Sequence, residues 1–399
     1  MNVRFSDNVS TLEPSATLAL AARARAMRAE GRPVIDLSAG EPVFPTPPYA
    51  AEAGIESIRE GLTGYPPTAG IPALRNAVAR YMGETTAHGG FEPSQVLVSA
   101  GVKQALFNCS YCLFQEGDEV LIPAPLWPTY TAIVRLAGAT PVVVPTSWDD
   151  DFVLDMGALE AARSERTRGV MINSPSNPSG ATYDSALIQR LVEWTGEHGL
   201  WLLSDEIYRR LYYEGDVPAS AASVADVPSR HERVVVLDGV SKAFAMTGWR
   251  IGFAVGPEEL IKKAADLQSQ TTSGAVGPSQ AAAARALADD ASRERWIADF
   301  VAELKGNRDV GVQILSEIDG IEISSPPGGI YLFARLTDGA ASLPIAERLL
   351  NEAEVACIPG EPFHSPGFLR FNFAVQRETL EIGLERVANF FARSGAVSA

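Results

Sequence analysis

The sequence predicts an α/β fold, a mostly parallel sheet between helices with a smaller α+β lobe beside it. Three observations carry that expectation. Short apolar runs rich in valine, isoleucine and leucine recur between residues 95 and 256: QVLVS, EVLIPA, TPVVVP, GVMINS, LWLLSDE, RVVVLDG and IGFAVG. Helix-patterned stretches such as DSALIQRLVEWTGEHG separate several of them, and strands alternating with helices form parallel sheets covered on both faces. A chain of 399 residues with 46% hydrophobic side chains exceeds what one small core needs, so a large two-lobed domain or two domains are expected.

Ser15 is a plausible N-cap for an alanine-rich helix that runs to Gly31, followed by VIDLSAGEP and a proline-rich loop. The seven apolar runs and their helices come next. After Asp290 the pattern predicts a long amphipathic helix over 291–319, then short strands in IEISS, GGIYLFARL, EVACIPG and FLRFNFA, and a closing helix in RETLEIGLERVANFFARSG. Both chain ends therefore build the smaller lobe. The expected division is a large domain over 46–289 and a small one from 1–45 with 290–399.

Composition narrows the ligand. With 49 acidic against 33 basic residues the net charge is -16, which repels nucleic acid and anionic lipid and leaves a small-molecule ligand as the expectation. The first twenty residues lack a basic start followed by an apolar run, and no window of about 18 apolar residues occurs. A soluble cytoplasmic protein is expected. Three cysteines fit a reducing compartment, and the Cys109/Cys112 pair sits inside the apolar helical run KQALFNCSYCLF, which points to packing. His88, His198, His231 and His364 stand far apart with no metal-ligand spacing, so no metal site is expected.

Chemistry in such sheets gathers in the loops after the strands. In SAGVKQAL, Gly101, Val102 and Lys103 open a helix, and amides at a helix N-terminus bind anions, although many helices start with glycine. NSPSNPSG reads either as a turn or as a loop whose asparagine donates to a ligand oxygen. In LLSDEIYRRLYY, Asp205 follows an apolar strand and needs a partner, a structural ion pair or a ligand, with Tyr208 placed to face the same pocket. In DGVSKAFAMTGWRIG, apolar neighbours would depress the pKa of Lys242 and free its amine as a nucleophile, unless it merely snorkels. Arg250, eight residues on, offers a planar charged fork suited to phosphate.

Taken together, GVSKAFAMTGWRIG resembles the pyridoxal-phosphate attachment signature of the class I and II aminotransferases of fold type I. NSPSNPSG, SDEIY and FLRFNFA match that family's other motifs in order, from Pro14 to the last helix. The likeness is greatest to bacterial aspartate aminotransferases, through GEP, YPPTAGIPALR, SKAFAMTGWRIG and SDEIY. The resemblance implies a seven-stranded large domain and pyridoxal 5'-phosphate as cofactor. Lys242 would bond the cofactor and move the α-proton, Asp205 would keep the pyridine nitrogen protonated, and Arg250 would bind the phosphate with the amides of Gly101, Val102 and Lys103. Asn177 and Tyr208 would bond the phenolic oxygen, Trp127 would stack on the ring, and Arg370 would grip the substrate α-carboxylate with help from the Gly40 backbone. Tyr65 would reach the neighbour's phosphate across a homodimer. One departure stands out: Gly239 occupies the place of a phosphate-binding serine, so that another donor such as Ser241 would have to compensate, or the phosphate is held with one bond fewer.

For substrate, the same resemblance places Lys103, Ser15 and Thr17 near a distal carboxylate, which implies aspartate or glutamate with a 2-oxo acid such as 2-oxoglutarate. Glu13, where dual-specificity relatives carry a basic residue, would repel prephenate by roughly 1 to 4 kcal/mol at about 4 Å. Aromatic, alanine or cationic substrates, or β-elimination on the same scaffold, remain the alternatives.

Overall fold

The computed structural model describes residue 9 and residues 16–84, 90–224, 232–288, 290–337 and 339–394. Its strands in chain order are β1 (Ile35–Asp36), β2 (Val96–Ser99), β3 (Glu119–Pro123), β4 (Thr140–Val144), β5 (Thr167–Asn173), β6 (Trp201–Asp205), β7 (Val234–Gly239), β8 (Gly252–Val255), β9 (Ile321–Glu322), β10 (Tyr331–Leu336), β11 (Val355–Ala356), β12 (Ile358–Pro359) and β13 (Phe368–Asn372). Every apolar run singled out in the sequence contains a strand.

Strands β2 to β8 form one seven-stranded sheet in the order β2-β8-β7-β6-β5-β3-β4. β8 runs antiparallel to both neighbours, and the other pairings are parallel. Helices cover both faces, which is why β3, β6 and β7 read as nearly unbroken apolar runs: their residues are buried on either side. β4 at the edge is only partly buried.

Local signals set the helix ends. Asp184 accepts from the Leu187 amide at 2.7 Å and starts Ser185–Glu197. Asp290 accepts from the amides of Ser292 and Arg293 and starts Ala291–Ser316. That helix stops short of the expected residue 319. Its last turn tightens, and Gly320 at φ +93° redirects the chain into β9, a conformation a β-carbon would oppose.

The smaller lobe is an antiparallel sheet, β12-β13-β10-β9, plus the parallel pair β1–β11. In that pair Ile35 meets Val355 and Asp36 meets Ala356, so segments near the two ends of the chain lie side by side. The N-terminal helix spans Ala16–Ala29, and Ser15 and Glu13 lie outside the described residues. Cys109 is buried in the helix Val102–Leu113, as the packing reading expects, and all three cysteines are free thiols. No described helix is long and apolar enough to cross a membrane.

Candidate active site

The carboxyl ends of β2, β3, β5, β6 and β7 and the turn entering antiparallel β8 converge on one side of the sheet. There they surround a cavity of about 480 Å³, within the usual range for small-molecule sites. Every residue expected in the site borders this cavity except Gly101, Tyr65, Ser15 and Thr17. Tyr65 is 97% exposed on the outer surface. Thr17 lies in the first helix with its side chain outside the described residues, as is all of Ser15.

Asp205 ends β6 and is buried. Its Oδ2 accepts the Tyr130 hydroxyl at 2.8 Å and its Oδ1 accepts the Ile207 amide at 3.2 Å. Burial pushes its carboxyl up to about 6, with the Tyr130 and Ile207 bonds pulling the other way. No structural cation pairs with Asp205 among the described residues, so the ion-pair alternative is not realised. Asn173 at the end of β5 joins the neighbouring loops, donating from Nδ2 to the Asp205 carbonyl at 2.9 Å and accepting the Asn177 amide at 2.8 Å.

Lys242 follows β7. Its Nζ donates to the Gly40 carbonyl and stands 5.7 Å from the centre of the Tyr208 ring. Burial lowers its pKa, while the Tyr331 and Glu41 side chains raise it and the guanidinium groups of Arg370 and Arg250 lower it further. The apolar neighbours thus act as the sequence predicts. Tyr208 is buried, its hydroxyl 3.1 Å from that of Tyr331, and burial raises its pKa well above the ordinary value, so it stays a neutral phenol.

Glycines let the phosphate-binding candidates approach. Gly101 has φ +81°, and a β-carbon on it would come within 2.5 Å of Arg250 Nη2. Arg250 therefore lies directly over the start of the helix Val102–Leu113. The Gly101 amide donates to the Ser99 carbonyl at 2.8 Å. Val102 and Lys103, the first helical residues, carry amides with no carbonyl a turn earlier. Gly239 pairs with Gly252 in the β7–β8 ladder, and a β-carbon on it would lie 2.8 Å from the Ile251 carbonyl oxygen and 2.9 Å from Gly252 Cα. A serine there would force these backbones apart, which accounts for the departure. Ser241 is buried and borders the cavity.

Arg370, on β13, is buried beside the Tyr331 ring, 4.1 Å from its centroid. Nη1 donates to Asn177 Oδ1 at 2.8 Å and Nη2 to the Ser38 carbonyl at 3.0 Å, while the buried Nε has no partner among the described residues. Lys103 Nζ stands 4.8 Å over the Trp127 ring, and burial and the nearby Arg250 lower its pKa. Ser38, Glu41, Tyr130, Asn173, Thr247 and Tyr331 also border the cavity and were not anticipated. Tyr130, one turn after Trp127, carried a usable spacing signal; the others carried none.

These features fit pyridoxal phosphate. A buried carboxylate suits a ring nitrogen, an arginine at a helix N-terminus suits a phosphate, an amine with depressed pKa suits an aldehyde, and a buried guanidinium with a spare donor suits a carboxylate.

The family model for aminotransferase class I and II matches residues 32–387. A bifunctional aspartate aminotransferase and glutamate/aspartate-prephenate aminotransferase of Petunia hybrida is 40% identical over 97% of this chain and 82% of its own length. A probable aspartate/prephenate aminotransferase of Aquifex aeolicus is 38% identical over 97% of this chain and 98% of its own. The solved aspartate aminotransferase of Thermus thermophilus with maleate superposes with a TM-score of 0.92 at 36% identity, covering 97% of this chain and 99% of that one. The motifs, the sheet topology and these matches agree, and the chain belongs to the class I and II aminotransferases, the fold type I enzymes that work through pyridoxal phosphate.

Proposed function

We propose that the protein is an aspartate:2-oxoglutarate aminotransferase, active in the cytoplasm as a homodimer with shared sites. One observation carries the substrate reading. Buried Arg370, whose Nε has no partner among the described residues, and Lys103, poised over Trp127, face one cavity and supply two cations for the two carboxylates of a dicarboxylic amino acid. Similar proteins named aspartate aminotransferase support it. Three free cysteines suit a reducing compartment. The proposed division separates the seven-stranded sheet, in a large domain of 46–289, from the four-stranded sheet and the β1–β11 pair, in a small one of 1–45 with 290–399.

In this reading Arg250 and the amides of Val102 and Lys103, with Gly101 permitting the approach and Ser241 nearby, hold the phosphate. Asn177 and Tyr208 orient the phenolic oxygen, Trp127 covers the ring face and Asp205 keeps the ring nitrogen protonated. The bound cofactor supplies an electron sink for the amino acid α-carbon. Lys242 would hold the cofactor through its aldehyde, and as a free neutral amine beside the substrate α-carbon it would take the α-proton and return it. Arg370 clamps the α-carboxylate and the Gly40 backbone helps orient it, so that the α-hydrogen faces Lys242.

A spectrophotometric half-reaction screen tests this. Aspartate and glutamate should each convert the bound cofactor once, stoichiometrically, and Arg370→Lys should raise the aspartate KM about 100-fold while the cofactor spectrum stays unchanged, because a bidentate fork becomes a point charge. Catalytic pyruvate release without oxo acid would instead establish a lyase. The names of the Petunia and Aquifex relatives favour prephenate as a second acceptor, and Glu13 opposes it. Efficient prephenate turnover would overturn the Glu13 argument.

Support for the dimer comes from exposed Ile55, Ile58, Leu62, Tyr65 and Val276; a β-carbon on Gly277 would lie 3.0 Å from the Leu62 carbonyl oxygen, which sets Val276 beside that run. Sedimentation should show a dimer, and Ile58→Glu should shift it toward monomer with loss of activity. A fully active wild-type monomer would refute shared sites.

A further inference from the structure

The segment from Leu37 to Thr46 leaves the small lobe and runs between the strand that carries Arg370 and the turn that follows Lys242. On the β13 side its ties are to main chain or to Asn372: the Asn372 amide donates to the Leu37 carbonyl at 2.7 Å, Asn372 Nδ2 to the Glu41 carbonyl at 2.7 Å, and the Val43 amide to the Ala374 carbonyl at 2.8 Å. On the other side Thr247 Oγ1 donates to Glu41 Oε2 at 2.6 Å, and Trp249 Nε1 to Thr46 Oγ1 at 2.9 Å. Between these ties, two carbonyls of the same segment meet the two side chains: Ser38 accepts from Arg370, and Gly40 from Lys242.

Glu41 is thus bonded to both motifs, through its carbonyl to Asn372, two residues after Arg370, and through its carboxylate to Thr247, five residues after Lys242. We propose that Glu41 is a positioning residue: the Thr247–Glu41–Asn372 chain of hydrogen bonds holds the Lys242 amine and the Arg370 guanidinium at the spacing that one amino acid must span. This rests on the roles given to Lys242 and Arg370 above. It adds that their separation is maintained by a joint reaching across the lobes rather than by either lobe alone. Glu41 also raises the pKa of Lys242 by its charge. The test must therefore separate a joint from a field.

Isothermal titration of the holoenzyme with maleate, a dicarboxylate that cannot react, does this without reading turnover. Glu41→Ala and Thr247→Val should each weaken maleate binding about tenfold, the worth of one hydrogen bond to a charged group. The double variant should be no weaker than either single one, since both remove the same bond. Glu41→Gln, which still accepts from Thr247 but carries no charge, should bind within about twofold of wild type even as the loss of its charge moves the pH titration of the cofactor band. If Glu41→Gln binds as weakly as Glu41→Ala, the charge acts and the joint is refuted. Unchanged binding in Glu41→Ala and Thr247→Val refutes it as well. Failure of the underlying reading shows separately, as a cofactor band that survives Lys242→Ala; the calorimetric comparison still decides whether Glu41 governs dicarboxylate binding.

Discussion

Replacing Lys242 by alanine is expected to lower turnover by at least about 10⁴-fold while leaving the fold intact. Proton transfer by a positioned base is worth about 10² to 10⁴, and loss of the covalent tether to the cofactor adds to it. Among the described residues no other amine stands ready: Lys103 borders the cavity but lies over Trp127, and the other basic groups lining it, Arg250 and Arg370, are guanidinium groups rather than amines. Stability should not suffer. Burial disfavours the Lys242 ammonium, so deleting it removes a desolvated charge, and the melting temperature of the cofactor-free chain should equal or exceed that of wild type. Single-turnover kinetics with aspartate and a thermal scan check both halves. A variant within tenfold of wild type would remove Lys242 from the chemistry.

Asp205→Asn should cost about 100-fold in kcat and change the pH dependence of cofactor binding. Holding the ring nitrogen protonated about two pKa units above its free value requires about 3 kcal/mol, which an ionised, buried carboxylate can supply and an amide cannot. In the cofactor-free chain burial pushes Asp205 up to about 6. Wild-type affinity for pyridoxal phosphate should therefore fall as the pH drops below about 6, and the variant should lack that inflection. Linkage gives a second readout. A carboxyl raised above its unfolded value contributes stability that is complete below about pH 4 and lost as the pH rises through 6, a change of about 3 kcal/mol. The melting temperature of Asp205→Asn relative to wild type, both without cofactor, should rise across that window. A flat difference would mean that burial does not hold the carboxyl up.

Much of this was legible in the residues themselves. A strand buried on both faces must be apolar along its length, so the seven runs from QVLVS to IGFAVG mark β2 to β8 directly. Asp205 stands out as a polar group at the end of such a run, and Asn177 and Lys242 in the loops that follow two others, where burial is costly without a purpose, while exposed Arg250 stands just before the run that forms β8. Arg370 needed the resemblance, since an arginine on a strand is locally unremarked.

What the sequence determined by itself was the class of fold and, through its motifs in order, the family, because these depend on local patterns of apolar and polar residues. Only the tertiary structure decided that β8 runs antiparallel, since direction leaves no trace in an apolar run. It alone explained Gly239, whose missing side chain is required by Ile251 and Gly252 on the adjoining strand. The same holds for Tyr130 against Asp205, Tyr331 against Tyr208, and Glu41 against Thr247, contacts between residues 75, 123 and 206 positions apart. Phenols in such runs look like core aromatics, and a carboxylate after a glycine looks like a solvated turn. Their roles arise only when the fold brings distant segments within hydrogen-bond reach, and no local pattern encodes that meeting.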